Sequence, residues 1–478
     1  MTQPTNTTNI IRPNQSNTAL VSNAGTMANL SHWMGDGVNP YHIDFENYYH
    51  GIHPMNGLSK LQQENPDLLR FWRVVNICRL IILEPIGYIA TGIFKIEPSD
   101  ERVKTWAEAW FNKRFKAAIP HLIQKSSIFA TSYAYLWVDY EGNNKGLKLR
   151  VVPPLEGGKT RVRADYGTDD EHELTGCVLE YRQPSQTKGI NTEYRMVLTD
   201  QTIQEFRQNS STSGEAGWEK MTDEPVENPW RVLPVAVCRN GALGGSDLTD
   251  LMPLQDDLNT GEYDLRAARS FHGFPMLVSN DPIVGTVGPG KIISGTDIRR
   301  LETADLGQIL AANTAILEKI AVIGRSVAVT QRGGSQQSGE AIKWLMNSLM
   351  TKCREKADAL ADCAENTLQI AARMMARDKT LYALEQPVDG DGKPVPQSAF
   401  ETVMFTVTIT PKTPADENAS VVAAAQALGA GVYSQREALI RAGYSGKDAA
   451  RITKERLEES ATLQAGTIEI SDQSDTET

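Results

Sequence analysis

Three histidines, His42, His50 and His53, stand with Asp44 and Glu46 in one short stretch, and imidazoles with a carboxylate are a donor set that suits zinc. Used together they would make the chain a metal-dependent hydrolase. The fixed helical offset of a His-x-x-x-His pair is missing, however, so histidines packed in loops beside Tyr41, Tyr48 and Tyr49 are the simpler reading. Two glycine-rich segments invite a nucleotide. Gly285 to Lys291 (GTVGPGK) has phosphate-loop spacing, yet Ile292 occupies the place of the magnesium-binding Ser or Thr, and the residues after it read as a strand instead of a phosphate-holding helix. Gly157 to Thr160 (GGKT) has Pro153 where the first glycine belongs, and reads as a turn.

No GxSxG elbow and no Cys/His nucleophile pair occurs. The acids Asp247, Asp250, Asp256 and Asp257 fall on or beside an expected helix, as a solvated face would. The expectation is therefore no catalytic residue, no metal and no cofactor.

The 478 residues carry a net charge of −11, the reverse of a protein that grips DNA phosphates by displacing counterions with Lys and Arg. Any DNA contact must be sparse. The five cysteines, Cys78, Cys177, Cys238, Cys353 and Cys363, form no CxxC pair, which fits a reduced compartment without zinc fingers. The most apolar run, Cys78 to Phe94, is interrupted by Arg79, Glu84 and Pro85, so no membrane span is expected. Residues 1–30, rich in Asn, Thr and Ser, read as a flexible arm, and the acidic segment 461–478 as a disordered tail.

Helical spacing predicts one helix over Leu68 to Leu83, a second over Glu101 to Phe115, and a third from His121 to Thr131 after Pro120. Alternation predicts a hairpin from Ser132 to Val152, then strands at Gly176 to Tyr181, Glu193 to Leu198 and Thr202 to Phe206. The second half changes character. Pro253 opens a helix with Leu254, Leu258, Leu265 and Ala268 on one face, and Asp305 to Gly324 forms another. Between them, short β-type runs at Phe274 to Ser279, Lys291 to Ser294 and Ile298 to Glu302 make a small insert. Ser326 to Ser338, with its glycines, reads as a loop. A seam from Ala341 through Leu349, Ala357, Leu360 and Leu368 to Met375 then predicts a helix about 58 Å long at 1.5 Å per residue. Thr402 to Thr410 alternates as a strand, and Ser434 with Glu437, then Ser445 with Asp448, mark two capped helices.

Pro229 to Pro234 (PWRVLP), Gly244 to Asn259 (GGSDLTDLMPLQDDLN), Ser338 to Lys343 (SGEAIK) and Gly431 to Tyr444 (GVYSQREALIRAGY), in that order, resemble the portal proteins of tailed double-stranded DNA bacteriophages. The resemblance covers roughly residues 228–459 and extends to the first half only in layout. It implies an α+β, portal-type ring subunit: an arm (1–30), an α+β wing (31–245), a stem helix (246–272), a β-rich clip (273–304), a second stem helix (305–325), a tunnel loop (326–338), a long helix and return strand of the wing (339–410), a helical crown (411–460) and the tail.

The same resemblance implies a non-enzymatic ring, commonly of twelve subunits, at one capsid vertex of the virion, assembled in the host cytoplasm. Double-stranded DNA would pass without sequence choice during packaging and ejection. Partners would be the large terminase, scaffold, the major capsid protein and a head-tail adaptor, with no membrane. Asp247, Asp250, Asp256, Asp257, Glu262 and Asp264 would give the channel an acidic, non-sticking wall. Thr330, Gln331, Arg332, Gly333, Gly334, Ser335 and Gln336 would form the loop in the bore, Arg332 touching phosphate. Lys291, Arg299 and Arg300 would meet terminase or neck proteins. Another head-tail adaptor or baseplate ring protein is the competing structural reading.

Overall fold

A computed structural model of the chain describes residues 40–141, 145–166, 174–184, 191–209, 217–241, 244–273, 277–278, 299–300, 306–332, 339–412, 434, 436–437, 439 and 449–455. The expected arm, most of the β insert, Gly333 to Gln336, the Ser445 cap and the acidic tail lie outside these residues.

The fold is α+β. Pro40–His50 is a helix (α1), followed by two short ones, Lys60–Glu64 (α2) and Pro66–Leu69 (α3). The helix expected over Leu68 to Leu83 is interrupted, and its main body is Ile77–Ala90 (α4). The reason lies far along the chain. The amides of Val75 and Ile77 donate to the side chains of Asn259 and Gln255, and Asn76 caps the new start by accepting from Arg79 N at 3.0 Å. His42 and His50 are thus helical, not in loops.

After strand β1 (Ile93–Pro98), a 3-10 turn at Glu101–Val103 runs into α5 (Lys104–Trp110), a π-helical turn at Phe111–Phe115 and α6 (Lys116–Phe129). The expected break at Pro120 does not occur: Pro120, the fifth residue of α6, forgoes the backbone bond to Lys116 O, and burial of Ile119, Leu122 and Ile123 around it holds the helix through the site. The π turn also stacks Phe111 on Phe115 with ring centroids 5.2 Å apart, both fully buried.

The hairpin forms as expected: β2 (Thr131–Asp139) pairs antiparallel with β3 (Gly146–Val152). The short pair β4 (Leu155–Glu156) and β5 (Lys159–Thr160) makes the turn read at Gly157 to Thr160. A six-stranded antiparallel sheet follows, from β6 (Val162–Tyr166), β7 (Leu174–Pro184), β8 (Asn191–Thr199), β9 (Thr202–Asn209), β10 (Gly217–Lys220) and β11 (Val226–Glu227). Strand β12 (Val235–Arg239) returns to pair with β2 and completes a three-stranded sheet. Two helices, α7 (Met252–Gly273) and α8 (Leu306–Gly324), flank the insert, of which β13 (Leu277–Val278) and β14 (Arg299–Arg300) are described and pair with each other. Next come α9 (Val327–Arg332), α10 (Gly339–Arg377), α11 (Lys379–Glu385) and β15 (Phe405–Thr410), which pairs with β1.

The chain divides into two compact units, 1–410 and 411–478. In the first, α10 is the spine. Leu349, Cys353, Ala357, Leu360, Ala364, Leu368 and Met375 are fully buried among Trp110, Phe111, Phe115, Leu136 and Phe400. Burying each large side chain contributes about 1.5–3 kcal/mol, so this seam adds substantially to the unit's stability. A second core gathers Tyr48, Ile81, Ile82, Leu251, Leu258, Ile320 and Ala321 from α1, α4 and the roots of α7 and α8. In the second unit, Glu437 N donates to Ser434 Oγ at 3.3 Å, the cap read from sequence, and residues 449–455 are helical.

Candidate functional site

Helices α7 and α8 run antiparallel. Gly261 lies so close to Asn313 that an added Cβ would stand 2.0 Å from its Oδ1, and Leu251 shares a core with Ile320 and Ala321. Both helices are rooted on α10 by two lysines. Asp247, just before α7, is ion-paired through Oδ2 with Lys352 and Lys356, 3.0 Å from each Nζ. Lys352 Nζ also donates to Gly324 O at the end of α8, and Lys356 Nζ to Ser127 Oγ at the end of α6 and to Asn240. Asn240 Nδ2 donates back to Asp247 Oδ1 at 2.8 Å. The two lysine charges hold the Asp247 carboxyl far below the usual carboxylate range against the opposing effect of burial, and burial lowers Lys356.

A second polar network ties α7 to α1 and α4. His53 Nδ1 faces Asn259 Nδ2 at 2.8 Å and its Nε2 faces Tyr48 O at 3.0 Å. An amide nitrogen donates only and a carbonyl accepts only, so the ring is the neutral tautomer with its proton on Nε2. Asn259 Oδ1 accepts from Val75 N and from Gln255 Nε2, which fixes the amide's orientation. Burial lowers the His53 pKa, opposed by the Tyr48 carbonyl and the Asp256 charge. Asp256 accepts from Tyr48 Oη at 2.7 Å and from Asn56 Nδ2 at 3.2 Å. The three histidines do not converge: the His42 ring meets Phe129 edge-on at 5.5 Å, and His50 packs on Tyr49. Among the described residues no three His, Cys, Asp or Glu side chains are grouped to hold a metal.

The segment expected to be a loop from Ser326 begins as a helix. Arg325 takes a left-handed conformation (φ +50°) that ends α8, and α9 then starts on a charged cap. Glu84 Oε1 accepts from Val327 N at 3.1 Å and Ala328 N at 3.0 Å, while Ser326 Oγ accepts from Val329 N. A carboxylate at a helix N-terminus satisfies orphan amides and complements the helix dipole. Thr330, Gln331 and Arg332 are therefore helical, and Gly333, Gly334, Ser335 and Gln336 lie outside the described residues.

Of the six acids expected on one exposed wall, Asp250, Asp257 and Asp264 are exposed. Asp257 and Asp264, seven residues apart on α7, point within about 20° of each other. Asp247 departs from the expectation, with its carboxylate turned inward to the lysines. Asp256 is engaged by Tyr48, and Glu262 pairs with Arg266 and accepts from Asn313 Nδ2, both at 3.4 Å. Arg299 and Arg300 form β14, in register with Val278 and Leu277, and Lys291 is outside the described residues. Sequence reasoning missed Glu84, Lys352, Lys356 and His53's partners. The lysines left a signal, for 352 and 356 fall in the apolar seam between Leu349 and Leu360.

A family model described as phage portal protein, SPP1 Gp6-like, matches residues 40–462. No curated protein matches. Among solved structures, the virion of a native gene transfer agent particle contains a chain 10% identical, covering 87% of this chain and 98% of that one, with a TM-score of 0.41. The neck of the native particle, computed with C12 symmetry, contains one 11% identical over 80% and 93%, with a TM-score of 0.39.

Proposed function

Because the chain belongs to the phage portal protein family, whose members are structural and not enzymatic, we propose that it forms a closed ring at one vertex of the virion through which double-stranded DNA enters and leaves. The family match over residues 40–462 carries this reading. The antiparallel pair α7 and α8 is the stem, the strands between them the clip, and α10 the spine that joins stem to wing. Copies of Asp250, Asp257 and Asp264, repeated around the ring, repel the polyanion and let it slide. Arg332, at the end of α9 just before two glycines, supplies one weak phosphate contact per subunit.

Helix α8 is long and apolar enough to cross a membrane by length and composition, with Leu310, Val322 and Ile323 exposed. In the proposed ring these side chains, which point to different sides of α8, are covered by neighbouring copies and by the rest of the stem. Assembly proceeds in the host cytoplasm with scaffold and major capsid protein. The clip docks the large terminase, which supplies ATP hydrolysis, and later a head-tail adaptor. Native mass spectrometry tests the proposal: about twelve 52.6-kDa chains give a particle near 630 kDa. A chain that stays monomeric at all concentrations and within intact particles overturns it.

A further inference from the structure

The wing holds a cavity to which the channel gives no role. It lies between the three-stranded and six-stranded sheets, has a volume of about 510 Å³, and is lined by Tyr135, Trp137, Arg150, Arg161, Tyr181 and Glu205, among others. Pockets for small ligands have this size. Arg161 is the unusual member. Its side chain is only 9% exposed, its Nε is buried without a hydrogen bond, and Glu156, 57% exposed, stands off at 3.5 Å. A buried guanidinium is ordinarily saturated by acceptors, since removing it from water costs more than removing any neutral polar group. Tyr135 adds a second underused donor, its hydroxyl reaching only Met196 Sδ at 3.8 Å, a weak acceptor.

The remaining charges on the lining set the ligand's charge. Glu180 is taken by Arg195 at 2.7 Å and Arg163 at 3.5 Å, Arg182 by Glu193 at 2.9 Å, and Glu205 accepts from Tyr181 Oη at 3.3 Å. Arg150 and Arg161 are left against Glu156 and Glu205, two charges of each sign, so the lining as a whole is neutral and favours a ligand of low charge over a phosphate dianion. We propose that this cavity binds a monocarboxylate on a flat aromatic body. The Arg161 fork and Tyr135 hydroxyl receive the carboxylate, and the rings of Tyr135, Trp137 and Tyr181 enclose the body.

The test is calorimetric titration of the full-length chain with 3-phenylpropionate, its primary amide and inorganic phosphate. The acid binds saturably, the amide at least roughly tenfold more weakly, and phosphate not at all. Arg161→Gln lowers affinity for the acid by roughly ten- to a hundredfold with little change in Tm, because the Arg161 Nε makes no hydrogen bond and its ion pair with the exposed Glu156 is long, at 3.5 Å. Tyr135→Phe, which keeps the ring, weakens binding several-fold and guards against a folding failure in the first variant. An acetylated Phe-Asp amide separates a partner's acidic side chain from a free acid as the source, according to which binds tighter. No saturable binding, equal affinity for acid and amide, or full affinity in Arg161→Gln each overturns the proposal, and ring assembly bears on none of these outcomes.

Discussion

Two buried polar groups at the root of α7 respond to pH in the same direction. For His53, protonation on Nδ1 would set an N–H against the Asn259 amide donor, and Tyr48, Asp256 and Asn259 are the groups that face it. Its folded pKa lies below the unfolded value of 6.5, so the unfolded chain binds the proton more readily. Its stabilising contribution is complete above pH 6.5 and is lost as pH falls toward the folded value. The drop in Tm between pH 7.5 and 5.5 should shrink in His53→Gln, as thermal melts across that range would show. Asp247, whose carboxyl is also held low, keeps its contribution above its unfolded value of 3.8 and loses it in stronger acid. Asp247→Ala strands two lysines and should cost about 3–5 kcal/mol in chemical denaturation. Adding Lys352→Met and Lys356→Met should restore much of that loss. The packing of His53 on Tyr48, 4.6 Å apart, was legible in sequence because the two are neighbours there. Its bond to Asn259 was not, since 206 residues separate them.

At the scale of elements, a period of 3.6 found α7, α8 and α10, whose apolar faces are long enough to dominate local noise. It failed where tertiary partners decide. Helix α4 starts at Ile77 because α7 takes the preceding amides, and α9 exists because Glu84, some 240 residues earlier, caps it. Glu84→Ala should destabilise the unit by about 1–2 kcal/mol, a typical cap loss. Hydrogen exchange should accelerate at Val327 and Ala328 first. If those amides stay protected while the rest of the unit loosens, Glu84 acts by packing and not as a cap.

For the whole molecule, the order of parts was readable because sheet-rich and helix-rich stretches segregate along the chain, whereas the packing of the two sheets over one cavity left no periodic trace. The proposed acidic bore can be inverted. Asp257→Lys with Asp264→Lys should leave subunits folded and rings intact but slow DNA release, with the delay easing at high salt as screening grows. Arg332→Ala should likewise spare assembly and reduce retention of packaged DNA, read as genome length in purified particles; unchanged length and retention would count against a phosphate contact. During biogenesis, strand β1 waits for β15, its partner among the described residues, with Ile93 opposite Thr410, and the core over α6 waits for α10. A nascent subunit therefore cannot finish folding until more than three hundred further residues have been synthesised, so the early part of the chain cannot associate prematurely through a finished wing.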